Sequence, residues 1–173
     1  FNDEANLVDY LVSPARVDQA IEDEARRTAE RLISEIDMVG LLAVEMFLTR
    51  DGQILINEIA PRPHNSGHHT IEACFTSQDD IHMRAILNWP LGDTALTSSA
   101  AMINLLGEKG YEGPVNYDGL EEAIAQGGVY PHIYGKSVTK PFRKMGHVTV
   151  LGSSSEEALH KAKAVKEKIK VIT

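Results

Sequence analysis

From Ile56 to Thr70 the chain reads INEIAPRPHNSGHHT, an apolar stretch that turns abruptly into a run of hydrogen-bonding side chains. Asn57 and Glu58 close the stretch. Arg62, His64, Asn65, Ser66, His68 and His69 follow among prolines and a glycine. Taken in order, they suit a small anionic substrate. Arg62 offers a planar fork for a phosphate or carboxylate. His64 can exchange a proton near neutral pH, and Asn65, Ser66 and the backbone around Gly67 add short-range donors. The helix expected after Thr70 would turn its N-terminus toward an anion. His64 and His68 have the i, i+4 spacing that can share a metal on a helix. Pro61, Pro63 and Gly67 make this start a loop instead, and no HExxH glutamate or second cysteine accompanies it, which speaks against zinc. The plainer reading is a loop whose polar groups cap one another and the next helix.

A second chemistry sits just upstream. GLLAVEMFLT and QILINEI read as strands on either side of Arg50-Asp51-Gly52-Gln53, and Asp-Gly between apolar strands is a hairpin signal. With Asp51 and Gly52 as the two turn residues, Arg50 faces Gln53, Thr49 faces Ile54, Phe47 faces Ile56, and Glu45 faces Glu58. Such partners have Cβ atoms about 5 Å apart on one face of the sheet. Two like charges there repel, and apolar neighbours add a desolvation cost. Three arrangements would relieve this: a solvated surface pair, salt bridges to nearby arginines, or a divalent cation completed by water and phosphate oxygens, as magnesium prefers.

The elements that must position these residues follow from periodicity. Leu7 to Val12 reads as a strand closed by Ser13-Pro14. From Asp18, a plausible N-cap, to Ile36 the residues Ile21, Ala25, Ala29, Leu32, Ile33 and Ile36 recur at helical spacing. A further helix is expected from Asp79 to Leu87, capped by Ser77 and stopped before Trp89-Pro90. DTALTSSA reads as a linker. Beyond it AAMINLLG, GVYPHIYG and HVTVLG read as strands, with a short helix near Leu120–Ala125. The last helix opens with a capping box, Ser154-x-x-Glu157, and runs to about Ile169 with Ala158, Ala162, Val165 and Ile169 facing inward. The fold class is α+β in two parts, 1–93 and a small β-rich 94–173.

The bulk numbers bound the partners. The chain has 173 residues, 43% hydrophobic, with a formal net charge of −8, which fits one or two small soluble domains. That acidity opposes a nucleic-acid or anionic-membrane surface. No apolar run is long enough to span a bilayer and no signal peptide is read. The single cysteine, Cys74, excludes an internal disulfide and fits a reducing cytosol. The chain opens Phe1-Asn2-Asp3-Glu4, without Met, so a piece of a longer protein is expected.

The run GLLAVEMFLTRDGQILINEIAPRPHNSGHHTIEAC, continuing through TSQDDIHMRAILNWPLGDT, resembles the N5-carboxyaminoimidazole ribonucleotide synthetases. GKSVTKPFRKMGHVTVLG resembles the same family's C-terminal phosphate-binding segment, and the likeness covers nearly the whole chain. The resemblance implies an ATP-grasp enzyme of purine biosynthesis that joins ATP, bicarbonate and aminoimidazole ribonucleotide through carboxyphosphate. It implies ATP and Mg2+ as cofactors, small-molecule substrates, a cytoplasmic location and a homodimer of full-length chains. Here only the last ATP-grasp subdomain and a small C-terminal domain (rudimentary single-hybrid-like) would be present. By position Glu45 and Glu58 match magnesium ligands, and Asn57 with Glu58 the pair near the nucleotide phosphates. Arg62 and His64 match residues that contact the ribonucleotide or carboxyphosphate, with Asn65 and Ser66 beside them. Lys136, Arg143 and Lys144 match the basic residues near the 5′-phosphate. Ala60 departs from the wider superfamily, where an Asn two residues after the second metal glutamate often supplies a third ligand. The alternative is a non-catalytic regulatory or interaction domain derived from ATP-grasp, which retention of Glu45, Glu58, Arg62 and His64 together argues against.

Overall fold

The computed structural model describes residues 8–173. The described residues form two compact units, one of residues 15–95, the other of residues 96–173 together with residues 8–14. Helices and antiparallel strands mix in an α+β arrangement. Among the described residues no helix is long and apolar enough to cross a membrane.

The first strand, β1 (Tyr10–Ser13), departs from the expected partition. It pairs antiparallel with β4 (Ser99–Leu106), Tyr10 opposite Ile103 and Ser13 opposite Ala100. Its short apolar run marks it as a strand, but nothing in that pattern names the partner. Leu7, the expected first strand residue, lies outside the described residues.

Unit 15–95 holds α1 (Gln19–Glu35), the hairpin β2 (Ala43–Leu48) and β3 (Ile54–Ala60), a single 3-10 turn Asn65–Gly67, the one-turn α2 (Thr70–Ala73), and α3 (Gln78–Ile86). Asp18 occupies the α1 N-cap but makes no side-chain cap bond. Ser77 does cap α3, its Oγ accepting from the Asp80 N–H at 3.1 Å. Few side chains of this unit are buried, Ala60, Ala73, Thr76 and Gln78 being the clear cases. Phe47, Leu48, Leu55, Ile56 and Ile59 on the hairpin are each close to half exposed.

The other unit is built on an antiparallel sheet in the order β1-β4-β9-β7, with β7 at Val129–Ile133 and β9 at Lys144–Gly152. Pro131 sits in the edge strand β7, where its missing N–H costs the ladder least. Helix α5 (Ser155–Lys168) lays Ala158, Ala162 and Val165 against this sheet; all three are fully buried, and Ile169 beyond the helix end is 4% exposed. Its capping box forms by half. Ser154 Oγ accepts from the Glu157 N–H at 3.2 Å, while the Glu157 carboxylate accepts from Ser153, N–H at 2.8 Å, instead of reaching Ser154. Helix α4 (Leu120–Ile124) matches expectation. Two small ribbons, Gly113–Pro114 with Val138–Thr139 and Asn116–Asp118 with Lys170–Ile172, carry too few residues for a readable alternation.

Candidate active site

Glu45 and Glu58 are Cα partners in the β2–β3 ladder. They reach that position by a route the simple hairpin does not predict. The loop has three residues, since Thr49 N–H donates to the Gln53 carbonyl at 2.9 Å and Gly52 takes φ +84, a left-handed conformation suited to glycine. Phe47 consequently pairs with Leu55 and Met46 with Ile56, one residue off the expected register. Such a slip would turn Glu58 to the face opposite Glu45. A bulge between Glu45 and Met46, with Asn57 as the extra residue on β3, restores the phase. Asn57 Nδ2 reaches Glu45 Oε2 at 3.4 Å. The bulge therefore brings Asn57, Glu58 and Glu45 together.

The loop after β3 delivers His64 to the same spot. Its Nδ1 lies 3.6 Å from Glu45 Oε1 and its Nε2 lies 4.0 Å from Glu58 Oε1. The imidazole side chain is only 14% exposed, against 36% for Glu45 and 58% for Glu58. Ser66 sits behind the ring, Oγ 2.8 Å and N–H 3.4 Å from Nδ1. With Nδ1 accepting from that N–H, the neutral ring carries its proton on Nε2, toward Glu58. The hydroxyl of Ser66, expected among the substrate donors, lies beside His64 Nδ1. Asn65 opens the 3-10 turn, its carbonyl accepting from the His68 N–H. His69 packs alongside, its pKa held below the usual imidazole value by burial, with the Ser66 carbonyl 3.0 Å from Nδ1.

One expectation changes, and one of the three arrangements open to the carboxylates is not seen. Helix α2 is one turn long and its Ile71 N–H is taken by the His68 carbonyl, so it presents no N-terminus to an anion. Arg62 does not neutralise the carboxylates; Nη1 donates to the Pro63 carbonyl at 3.0 Å and the residue is exposed. Among the described residues neither glutamate forms an ion pair with an arginine. Nor do three His, Cys, Asp or Glu side chains there converge on a metal position. The donor set is two carboxylates on one face with the Asn57 amide beside them, which fits a hard divalent cation that keeps water and phosphate oxygens as its other ligands. Ala60, 5% exposed, offers no ligand.

The other unit carries the second set, Lys136, Arg143 and Lys144. Lys136 Nζ donates to the Lys144 carbonyl at 2.6 Å and stands 5.9 Å over the Tyr134 ring. Arg143 Nη1 donates to the Val138 carbonyl at 2.8 Å, and its backbone follows Phe142, held at φ +62. Strands β7 and β9 add a group that sequence reading missed. His132 and His147 stack with centroids 4.4 Å apart, and the Tyr134 hydroxyl lies 3.0 Å from His147 Nδ1. His147 is 2% exposed. The HIYGK and RKMGH runs carried the signal, but only cross-strand pairing of His132 with His147 turns it into a cluster.

Comparison with known proteins bears on both units. Residues 2–78 match the family described as the ATP-grasp domain, and residues 100–161 the phosphoribosylaminoimidazole carboxylase C-terminal domain. The N5-carboxyaminoimidazole ribonucleotide synthase of Bacillus subtilis is 44% identical over 152 residues, which are 88% of this chain and 38% of that protein. The crystal structure of the Thermotoga maritima synthetase superposes with a TM-score of 0.92 at 51% identity, covering 95% of this chain and 46% of that one. The Aspergillus clavatus synthase, solved with ADP and 5-aminoimidazole ribonucleotide, gives 0.82 at 34% identity, covering 94% and 44%. The chain belongs to the N5-carboxyaminoimidazole ribonucleotide synthase family and spans less than half the length of these members.

Proposed function

We propose that this chain is the C-terminal part of an ATP-dependent carbon–nitrogen ligase that carboxylates 5-aminoimidazole ribonucleotide. The observation that carries the reading is the Glu45–Glu58 pair brought to one face with His64 against both, in the unit that matches an ATP-grasp domain. A bicarbonate oxygen attacks the γ-phosphorus of ATP, the bond to the β,γ-bridging oxygen breaks, and ADP leaves carboxyphosphate. The ribonucleotide amine then attacks the carboxyl carbon, phosphate departs with the carbon–oxygen bond, and the amine loses a proton. Product, ADP and phosphate balance the three substrates.

Mg2+ held by Glu45 and Glu58 would supply neutralisation of the phosphate charge, with Asn57 steadying Glu45 and facing the nucleotide. Arg62, exposed beside the hairpin end, takes the carboxyphosphate or ribonucleotide. His64, flanked by the carboxylates, holds or receives the proton lost by the amine, with Asn65 at the substrate edge. Lys136, Arg143 and Lys144 bind the unreactive 5′-phosphate. The working protein in this reading is cytoplasmic and a homodimer of longer chains.

The test is a full-length ligase carrying this segment. It should release phosphate from ATP only slowly without substrates, and rapidly with bicarbonate and 5-aminoimidazole ribonucleotide together, forming one carboxylated product per ADP. Absence of ribonucleotide-dependent ADP formation in the folded protein would sink the proposal.

A further inference from the structure

Gln78 is the first residue of α3, yet it is only 9% exposed and its amide is turned onto the loop that carries His64. Oε1 accepts from the His64 backbone N–H at 2.9 Å, and Nε2 donates to the His64 carbonyl at 2.8 Å. One side chain thus closes both backbone groups of His64, as a neighbouring strand would. The amide orientation is forced, because its reversal would set N–H against N–H and oxygen against oxygen. The second Nε2 hydrogen points at His68 Nδ1, 3.1 Å away. Nε2 can only donate, so His68 Nδ1 must accept and the neutral ring carries its proton on Nε2.

The backbone of Gln78 joins the same network. Its N–H donates to Thr70 Oγ1 at 2.9 Å, and that hydroxyl donates to the Gly67 carbonyl at 2.6 Å. Gly67 closes the logic. A Cβ there would lie 2.3 Å from Gln78 Oε1 and 2.7 Å from its Cδ, so the glycine makes room for the amide.

We propose that Gln78 is a positioning residue: it fixes the His64 backbone beside the Glu45–Glu58 pair and sets the tautomer of His68. The catalytic consequence rests on the ligase reading above; the positioning itself does not. Gln78→Leu removes all three side-chain bonds. Gln78→Glu keeps an acceptor for the His64 N–H but has no donor, and its charge favours a proton on His68 Nδ1. Gly67→Ala displaces the amide without altering Gln78.

Two readouts on this chain, without substrate, test the positioning. Hydrogen exchange of the His64 amide should quicken tenfold or more in Gln78→Leu and Gly67→Ala. The ring 15N shifts of His68 should show the Nε2–H tautomer in the parent, lose that single pattern in Gln78→Leu, and move to Nδ1 protonation in Gln78→Glu. In a full-length ligase carrying the segment, Gln78→Leu should lower kcat at least tenfold with KM for ATP within twofold. Parent-like His64 exchange in both Gln78→Leu and Gly67→Ala, parent-like His68 shifts in Gln78→Glu, or parent kcat in Gln78→Leu overturns the inference. A parent ligase without ribonucleotide-dependent turnover would overturn the functional reading instead, and the exchange and ring signals would still decide the positioning.

Discussion

His64 Nδ1 lies 3.6 Å from Glu45 Oε1, beside the carboxylate but too long for a hydrogen bond. The opposite ring nitrogen has the same relationship with Glu58 at 4.0 Å. If the carboxylates share a divalent ion, Glu45→Gln and Glu58→Gln in a full-length ligase should each lower kcat/KM about a hundredfold, roughly 2.7 kcal/mol. The double variant should lose little more than either single one, because groups acting as a unit are not additive. Raising Mg2+ should recover part of the activity of each single variant. A parent-like Mg2+ dependence in Glu58→Gln would exclude a ligand role for that residue.

Arg62 and Arg143 belong to different units and should fail differently. Arg62 follows the strand that carries Glu58, where, in the proposed reaction, charge would move as carboxyphosphate forms and breaks. Arg143 is assigned to a phosphate that never reacts. An interaction strengthened in the transition state lowers kcat when removed, whereas uniform binding mainly raises KM. Arg62→Ala should depress kcat. Arg143→Ala should chiefly raise KM for the ribonucleotide, by about 1.5–3 kcal/mol for a lost charged hydrogen bond. Bicarbonate-dependent ATP hydrolysis without ribonucleotide should survive Arg143→Ala and fall in Arg62→Ala. Equal loss in both removes Arg143 from the remote phosphate.

How much of this was legible in the sequence varies with the length over which each signal accumulates. Helix α5 was readable because Ala158, Ala162 and Val165 repeat over several turns, and all three are buried. The Glu45–Glu58 pairing was predicted from a two-residue turn, and holds because two departures cancel: a three-residue loop shifts the register and the bulge at Asn57 shifts it back. Neither departure has a periodic signature. The His64 loop announced its polarity but not its wiring, since Ser66 and Gln78 find their partners through the fold. Gln78 carried no signal of its own; it read as one more polar residue after a Ser77 cap. Strand β1 was visible as a strand, but its partner β4 lies far along the chain, beyond any local pattern.

Gly52 offers a clean test of the loop. Its φ is +84, and a Cβ would meet nothing within 4 Å, so substitution costs only the backbone conformation. Gly52→Ala should destabilise the hairpin by about 1–2 kcal/mol, and Gly52→Asn by less, since Asn tolerates the left-handed region. Urea unfolding followed by amide signals of β2 and β3 measures both. Equal stability of the three proteins would mean that the three-residue loop is not formed.

Burial predicts unequal protection of the two units. In one, Ala101, Ile103, Met145, Val148 and Val150 are fully buried between sheet and helix; in the other, Phe47, Leu55 and Ile56 on the hairpin stand about half exposed. Local opening is easiest where few apolar side chains are buried. Native-state hydrogen exchange on this chain should find the amides of β4 and β9 at least a hundredfold slower than those of β2 and β3. Uniform exchange rates would show that the two units open together.

Glu157 ties stability to acid. Hydrogen bonds from Lys161 first, then from Ser153, bring its pKa down from near 4.5 to about 2. Lys161 Nζ lies 2.6 Å from Oε1, at the solvent-facing start of α5. A depressed carboxylate pKa contributes stability that is complete above the unfolded value and is lost as pH falls toward the folded one. Between about pH 4.5 and 2 unfolding should therefore take up as much as one proton at this residue, with its size limited by solvent screening. Glu157→Gln and Lys161→Met should each flatten the pH dependence of unfolding in that window and leave the slope above pH 5 unchanged. Denaturant titrations at half-unit steps measure it. If both variants keep the parent's slope between pH 2 and 4.5, the Ser153–Glu157–Lys161 arrangement does not hold the start of α5 in solution.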